Sequence, residues 1–440
     1  MIVRVPTFSR NEPYVGYAYG YPHKSAYRRF DPPVPLAHIW REEDRRSLFL
    51  YLHVPFCEHR CGFCNLFTLA NVGADLPAAY LRQLRRQAET IRAALSDARF
   101  VRAAIGGGTP TFLDEPQLAE LLDIAESVFG IDFHAVPASI EASPATLATD
   151  KLALLRERGI ERLSLGIQTF DDRQSQRLGR PQRAAEAHSA MARACAAGFP
   201  TVNVDLIHGA AGQTIAAWQR DVAAALAYRP TEIYLYPLYV RPLTGLGERA
   251  AAPADNRLEL YRAGRAMLLD AGYVQISMRM FRLAERPLDA GPAYCCQSDG
   301  TVGLGCGARS YTRRLHYSTE FAVGRSTVRS ILAAYMHRSP GDFALADYGV
   351  RLDADDERRR FVLLGLLQAE GLDLVAYRRR FETDACDDLP QLAELVDRDL
   401  AQRNFARLRL TPPGLELSDA IGPWLYAPRI ARLMEDRECR

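Results

Sequence analysis

From residue 47 onward the chain alternates between two hydrophobic rhythms, and this alternation restricts the fold more than any other feature. Short runs of β-branched, aromatic and leucine residues occur at 47–55 (SLFLYLHVP), 102–108 (RAAIGGG), 138–143 (ASIEAS), 162–170 (RLSLGIQTF), 201–209 (TVNVDLIHG) and 232–240 (EIYLYPLYV). Segments of helical period separate them at 78–95, 115–129, 146–158, 181–197 and 214–228, and another follows at 255–271. Strand and helix in strict alternation predict a parallel sheet with right-handed crossovers. Six such units predict an α/β partial (βα)6 barrel, open on one side. In parallel α/β sheets the functional groups collect at the carboxyl ends of the strands.

The first run empties into Cys57, Cys61 and Cys64, spaced C-x3-C-x2-C. Three thiolates in one tight loop suit zinc or an iron–sulfur cluster. On a 4Fe–4S cluster, three ligands leave one iron open for chemistry. The plainer alternative is a structural zinc site completed by His53 or His59. The other strand ends are polar or glycine-rich. The second ends in Gly106-Gly107-Gly108-Thr109-Pro110, which lets backbone approach a ligand closely. Glu141, Gln168 and Asp205 sit near the ends of the third, fourth and fifth. A single buried polar residue is often a satisfied member of the core. Three on successive strands, at the cysteine end, suit hydrogen bonds to ribose hydroxyls and an amino group.

Composition sets the remaining bounds. A length of 440 residues exceeds one ordinary domain unless that domain is a barrel, and leaves a surplus for a smaller one. The 55 basic and 53 acidic residues, net +2, argue against a dominant nucleic-acid surface. Nine cysteines, three of them clustered, do not read as a disulfide framework. The start lacks an apolar signal region, and no run of about 18 apolar residues appears, so a cytoplasmic protein without a membrane span is expected. Residues 1–45, with Tyr14, Tyr17, Tyr19, Tyr21, Tyr27 and DPPVPL, read as irregular chain wrapping the body by its aromatic rings rather than contacting substrate.

The string YLHVPFCEHRCGFC, followed by GGGTPT, S-x-E, LSLGIQTF and NVDLIHG, resembles the radical S-adenosylmethionine (SAM) enzymes of the oxygen-independent coproporphyrinogen III oxidase family. That family includes haem chaperones and class C radical methyltransferases. The resemblance runs collinearly over roughly 47–430. It implies a radical SAM barrel at 46–275, a connecting segment at 276–350 with VGLGCGARS, and a mostly helical, winged-helix-like lid at 351–440. It also implies that Cys57, Cys61 and Cys64 bind a 4Fe–4S cluster. Tyr51, Gly107, Glu141, Gln168, Arg180 and Asp205 match positions that bind SAM, with Arg180 near the methionine carboxylate. Phe63, Gly108 and Thr109 match part of a second SAM site, so one or two molecules are expected.

By the resemblance, the reduced cluster cleaves SAM to methionine and a 5′-deoxyadenosyl radical that acts on an organic substrate, tetrapyrrole or other. The outcomes open are decarboxylative oxidation, methylation and cyclopropanation, with a flavodoxin or ferredoxin as electron donor. Leu66 stands where genuine coproporphyrinogen dehydrogenases carry a fourth cysteine. The alternative on the same scaffold is a haem-binding transfer protein, with His53, His208 and His316 as candidate axial ligands. The pair Cys295-Cys296 reads either as buried small side chains or as substrate-facing thiols, and Cys306 has no assigned role.

Overall fold

The computed structural model describes residues 8–18, 20–249, 252–253, 256–286 and 300–435. Tyr19 and the Cys295-Cys296 pair lie outside the described residues. Strands Leu48–Val54, Phe100–Gly107, Ala138–Ala142, Arg162–Gln168, Thr201–His208 and Glu232–Pro237 lie side by side, parallel and in chain order. Helices Asp75–Leu95, Glu115–Phe129, Thr149–Glu157, Ala184–Ala196 and Ile215–Leu226 make the crossovers, and Arg257–Asp270 follows the last strand. These are the six units the sequence predicts, with boundaries displaced by a few residues.

The local reasons are legible. Residues Leu48, Phe49, Leu50, Leu52, His53 and Val54 of the first strand are buried, the pattern of a strand covered on both faces. The first crossover helix buries Tyr80, Leu84, Ala88, Ile91 and Leu95, one stripe at helical spacing. The second starts in a capping box, with Asp114 accepting from the Gln117 backbone at 2.9 Å, and stops at Gly130, whose φ of +69° closes the last turn. Fully burying one leucine of this core contributes about 1.5–3 kcal/mol.

The sheet does not stop at six strands. Met280–Leu283 and then Tyr273–Gln275 extend it antiparallel beyond the sixth. On the other side Thr301–Leu304 runs parallel to the first strand, followed by Arg309–Tyr311, Leu315–Ser318, Leu345–Arg351 and Arg28–Pro35. Among the described residues this makes a 13-stranded sheet. Part of the N-terminal segment is therefore regular rather than irregular: Arg28–Pro35 is an edge strand and Leu36–Arg41 a helix. Its prolines hide it from a period-two reading and suit an edge, where missing backbone donors cost nothing in the ladder.

Residues beyond 351 form a second core. Helices Ala354–Leu366, Leu374–Phe381, Gln391–Asp397, Ser418–Trp424 and Pro428–Glu435 surround a three-stranded sheet of Leu372–Asp373, Arg407–Leu410 and Ala401–Arg403. The N-terminal rings enter it. Tyr21 is buried, donates to Asp356 at 2.6 Å and packs on Tyr426, while Tyr27 packs on Tyr348. Packing is thus the role of Tyr21 and Tyr27, as expected. Tyr17 departs from the pattern: it remains 42% exposed at the barrel mouth.

Candidate functional site

The cysteine loop leaves the first strand at Pro55 and is held on both sides. The short strand Phe56–Cys57 pairs with Leu69–Ala70, so the chain returns after Cys64. The Gly62 N–H donates to the carbonyls of Leu178 (3.0 Å) and Gly179 (3.1 Å), and its own carbonyl accepts from Leu246 N–H at 2.7 Å. A Cβ on Gly62 would lie 2.8 Å from the Leu178 oxygen, so glycine is required for this approach. Burial pushes the Cys57 thiol up to about 12 and raises that of Cys64, so a metal bound by these thiols would have to displace their protons.

A cavity of about 540 Å³ opens at the carboxyl ends of the strands. Tyr51, Phe63, Gly107, Gly108 and Thr109 line it beside Cys64. Glu141, Gln168, Arg180 and Asp205 line the adjoining wall. All nine residues that the resemblance matches to SAM-binding positions therefore meet in one space. Cys57 and Cys61 stand directly behind it, with Cys57 Sγ 3.4 Å from Thr109 Oγ1 and Cys61 Sγ 3.1 Å from Arg180 Nη1.

The two carboxylates are arranged differently. Glu141 accepts from the Gly107 N–H at 3.0 Å and fills the space beside Gly106 where a Cβ would otherwise stand. It opens onto the cavity, yet enclosure by the surrounding protein, with Asp205 nearby, raises its carboxyl to about 7. Asp205 accepts from Asn203 Nδ2 at 2.8 Å, and burial raises it to about 6. Asn203 also donates to Ser164 at 2.7 Å. Gln168 sits at a bulge with φ of +70°, uncommon for a non-glycine residue, which turns the strand end at the rim.

The reading of the sequence missed Ser164 and Asn203. They share a strand face with Gln168 and Asp205, so the period of two could have found them. It also missed the opposite wall, where Lys24 lies 3.5 Å from the centroid of Phe321 and Arg279 stacks on Tyr17 at 4.3 Å. Arg309 and Tyr311 continue that wall. Arg279 is ion-paired with the fully buried Asp419, which also accepts from Tyr239 at 2.5 Å. Thus the C-terminal helix Ser418–Trp424 supports the cavity directly.

The histidines are placed unfavourably for axial ligation. His208 is fully buried among Tyr14, Trp218 and Tyr261, and His316 lies edge-on to Tyr311. Neither lines the cavity, and burial lowers both, His208 to about 3. His53 does line it, but its Nε2 is 3.1 Å from the Phe67 carbonyl and its Nδ1 3.3 Å from the Tyr51 hydroxyl. Its burial, which lowers it to about 4, keeps it neutral. Cys306 is buried, with its backbone N–H bonded to Tyr80. Among the described residues no three His, Cys, Asp or Glu side chains converge on one metal-ion position.

Strand ends lined by three cysteines, two carboxylates and a glycine turn, on a partial α/β barrel, define the radical SAM class. Residues 51–224 match the model of the radical SAM superfamily, and residues 352–417 match the HemN C-terminal domain. The chain is 31% identical to the heme chaperone HemW of Haemophilus influenzae, over 59% of this chain and 69% of that one. It is 28% identical to the Escherichia coli heme chaperone HemW, over 79% and 90%. It is also 28% identical to the oxygen-independent coproporphyrinogen III oxidase of Pseudomonas aeruginosa, over 76% and 75%. The fold superposes on Escherichia coli coproporphyrinogen III oxidase (HemN), a radical SAM enzyme, with a TM-score of 0.79 at 23% identity, covering 93% and 96% of the two chains. The chain belongs to the coproporphyrinogen III oxidase-like family of radical SAM proteins, which holds both the HemW chaperones and the HemN oxidases. Among the described residues no helix is long and apolar enough to cross a membrane.

Proposed function

We propose that Cys57, Cys61 and Cys64 hold a 4Fe–4S cluster, and that the adjoining rim binds SAM. The carrying observation is the convergence of the cysteine loop and nine residues from the strand ends and their adjoining loops on one cavity. In this reading Glu141 takes the SAM amino group, Asp205 a ribose hydroxyl, and Gly107 and Gln168 offer polar contacts along the rim. Arg180 would face the SAM carboxylate, and Tyr51 adds an aromatic ring to the SAM-binding wall. Phe63, Gly108 and Thr109 form the part of the cavity open to a second SAM molecule. A cluster bound here supplies the electron, drawn from a flavodoxin- or ferredoxin-type donor, that breaks the S–C5′ bond into methionine and a 5′-deoxyadenosyl radical. The protein orients the reactants and excludes water. Anaerobic reconstitution with iron, sulfide, reductant and SAM tests this. Methionine and 5′-deoxyadenosine are expected from wild type and absent from a Cys57/Cys61/Cys64→Ala variant; a fully loaded protein that releases neither would refute cleavage.

A second reading, haem binding and transfer, is favoured by the names of several curated relatives and by the wall of Lys24 and Arg309 interleaved with Tyr17, Tyr311 and Phe321, beside Arg279, whose charge Asp419 balances. Such a wall suits a flat aromatic molecule bearing carboxylates. The histidine environments favour contact through these cations and rings over ligation by His208 or His316. Haem titration gives the expected result as an absorbance change that is weakened in Arg309→Ala and retained in His208→Ala. No change at micromolar haem would count against this reading while leaving SAM cleavage intact.

A further inference from the structure

The three cysteine sulfurs stand in unequal hydrogen-bond environments. Thr109 Oγ1 is 3.4 Å from Cys57 Sγ, and Thr68 Oγ1 is 4.0 Å from Cys64 Sγ. Cys61 instead faces a charged donor, Arg180 Nη1, at 3.1 Å. That guanidinium is locked from every side. Its Nε donates to Gln182 Oε1 at 2.7 Å and its Nη2 to the Gly166 carbonyl at 2.8 Å. Gln182 is fixed in turn by donating to the carbonyls of Ile167 (2.9 Å) and Thr169 (3.3 Å), and Ser175 ties down the Arg180 carbonyl at 2.8 Å. The same segment clamps Gly62 through the Leu178 and Gly179 carbonyls, so the arginine's segment and the cysteine loop are tied to each other.

We propose that Arg180 sets the reduction potential of the cluster through its charged hydrogen bond to the Cys61 sulfur, with Gln182 as its positioning residue. The inference rests on the cluster reading above and gives Arg180 a role beyond facing a SAM carboxylate. A cluster gains one negative charge on reduction, and a cation hydrogen-bonded to a ligating sulfur stabilises the reduced form more than the oxidised one. A neutral hydroxyl at longer range does this more weakly. Two anchoring contacts, to Gln182 and the Gly166 carbonyl, leave the guanidinium little freedom to relax away from the sulfur, so the effect is built into the fold.

The test is a potentiometric titration of the anaerobically reconstituted full-length protein, followed by the electron paramagnetic resonance of the reduced cluster, with iron and sulfide counted in each variant. Arg180→Met is expected to weaken reduction about tenfold, which a one-electron couple reads as about 59 mV to the negative. Arg180→Lys should fall between, and Gln182→Met should move the same way by less. Thr109→Val should shift the potential less than Arg180→Met does. If Arg180→Met takes up no iron, Arg180→Lys and Gln182→Met decide by themselves. Fully loaded variants with the wild-type potential would overturn the inference and leave the cluster reading standing. A wild-type protein that takes up no cluster would overturn both.

Discussion

The two walls of the cavity draw on the chain in opposite ways. One is assembled from the ends of successive parallel strands, each delivering one or two polar groups at a fixed place in a repeating unit. The other takes Tyr17 and Lys24 from the N-terminal segment, Arg279 from beyond the barrel, Arg309 and Tyr311 from the extended sheet, and Phe321 from the loop after Leu315–Ser318. It is secured by Asp419, 140 residues after Arg279. The first wall carries carboxylates, an amide and the cysteine loop; the second carries cations stacked on rings. A wall built from a repeat offers the same cofactor chemistry wherever the repeat occurs. A wall gathered from distant segments can change one residue at a time, which is where specificity for the organic ligand has room to vary.

The largest expected effect separates the walls outright. Cys57→Ala should abolish the cluster absorbance and 5′-deoxyadenosine formation while leaving the unfolding midpoint of the metal-free protein near wild type. Arg279→Ala should do the reverse, loading a cluster but losing stability. It strands the buried Asp419, and breaking such a pair costs about 3–5 kcal/mol, measurable by denaturant unfolding. A variant that lost both together would show the walls to be one unit.

Intermediate effects sharpen the first wall. Asn203→Ala removes the donor to Asp205, and a hydrogen bond to a charged group is worth about 1.5–3 kcal/mol. SAM affinity measured calorimetrically should fall by about tenfold or more, with Asp205 rising further. The pH dependence has a definite sign. Burial raises Glu141 to about 7 and Asp205 to about 6, above their ordinary carboxylate values. Their contribution to the stability of the unliganded protein is therefore full only below their ordinary values of 3.8 and 4.5, and is lost as pH rises through about 6 and 7. A ligand that takes both as anions should release protons on binding at pH 6 and almost none at pH 8, which calorimetry in buffers of different ionisation enthalpy reads directly.

The smallest effect concerns Leu66, which is 46% exposed and lines the cavity. Leu66→Cys should leave the iron count and the SAM affinity within error of wild type, since its position bears on the organic ligand rather than on the cluster. An added iron equivalent would instead place it among the ligands.

The same contrast explains what the sequence made legible. The cysteine loop and the six strand ends announce themselves because spacing and period survive in the chain, and even Asn203 is recoverable as the residue two before Asp205. The added strands are three or four residues long at 273–275, 280–283, 301–304, 309–311 and 315–318, too short for a period to register. Arg28–Pro35 is masked by its prolines. Nothing local marks Arg279, Arg309 or Asp419, because their roles come from tertiary contacts made by segments far apart. The same holds for His208 and His316, whose burial away from the cavity depends on the rings packed around them.

The most direct measurement is Mössbauer spectroscopy of the protein reconstituted anaerobically with iron-57, before and after SAM is added. One iron of the four should change its spectrum on SAM binding, because in the proposed assignment Cys57, Cys61 and Cys64 would leave it without a cysteine ligand and the Glu141–Asp205 rim would bring SAM to it. Four irons that stay unchanged with saturating SAM, or iron uptake that survives loss of all three cysteines, would contradict the assignment of this site.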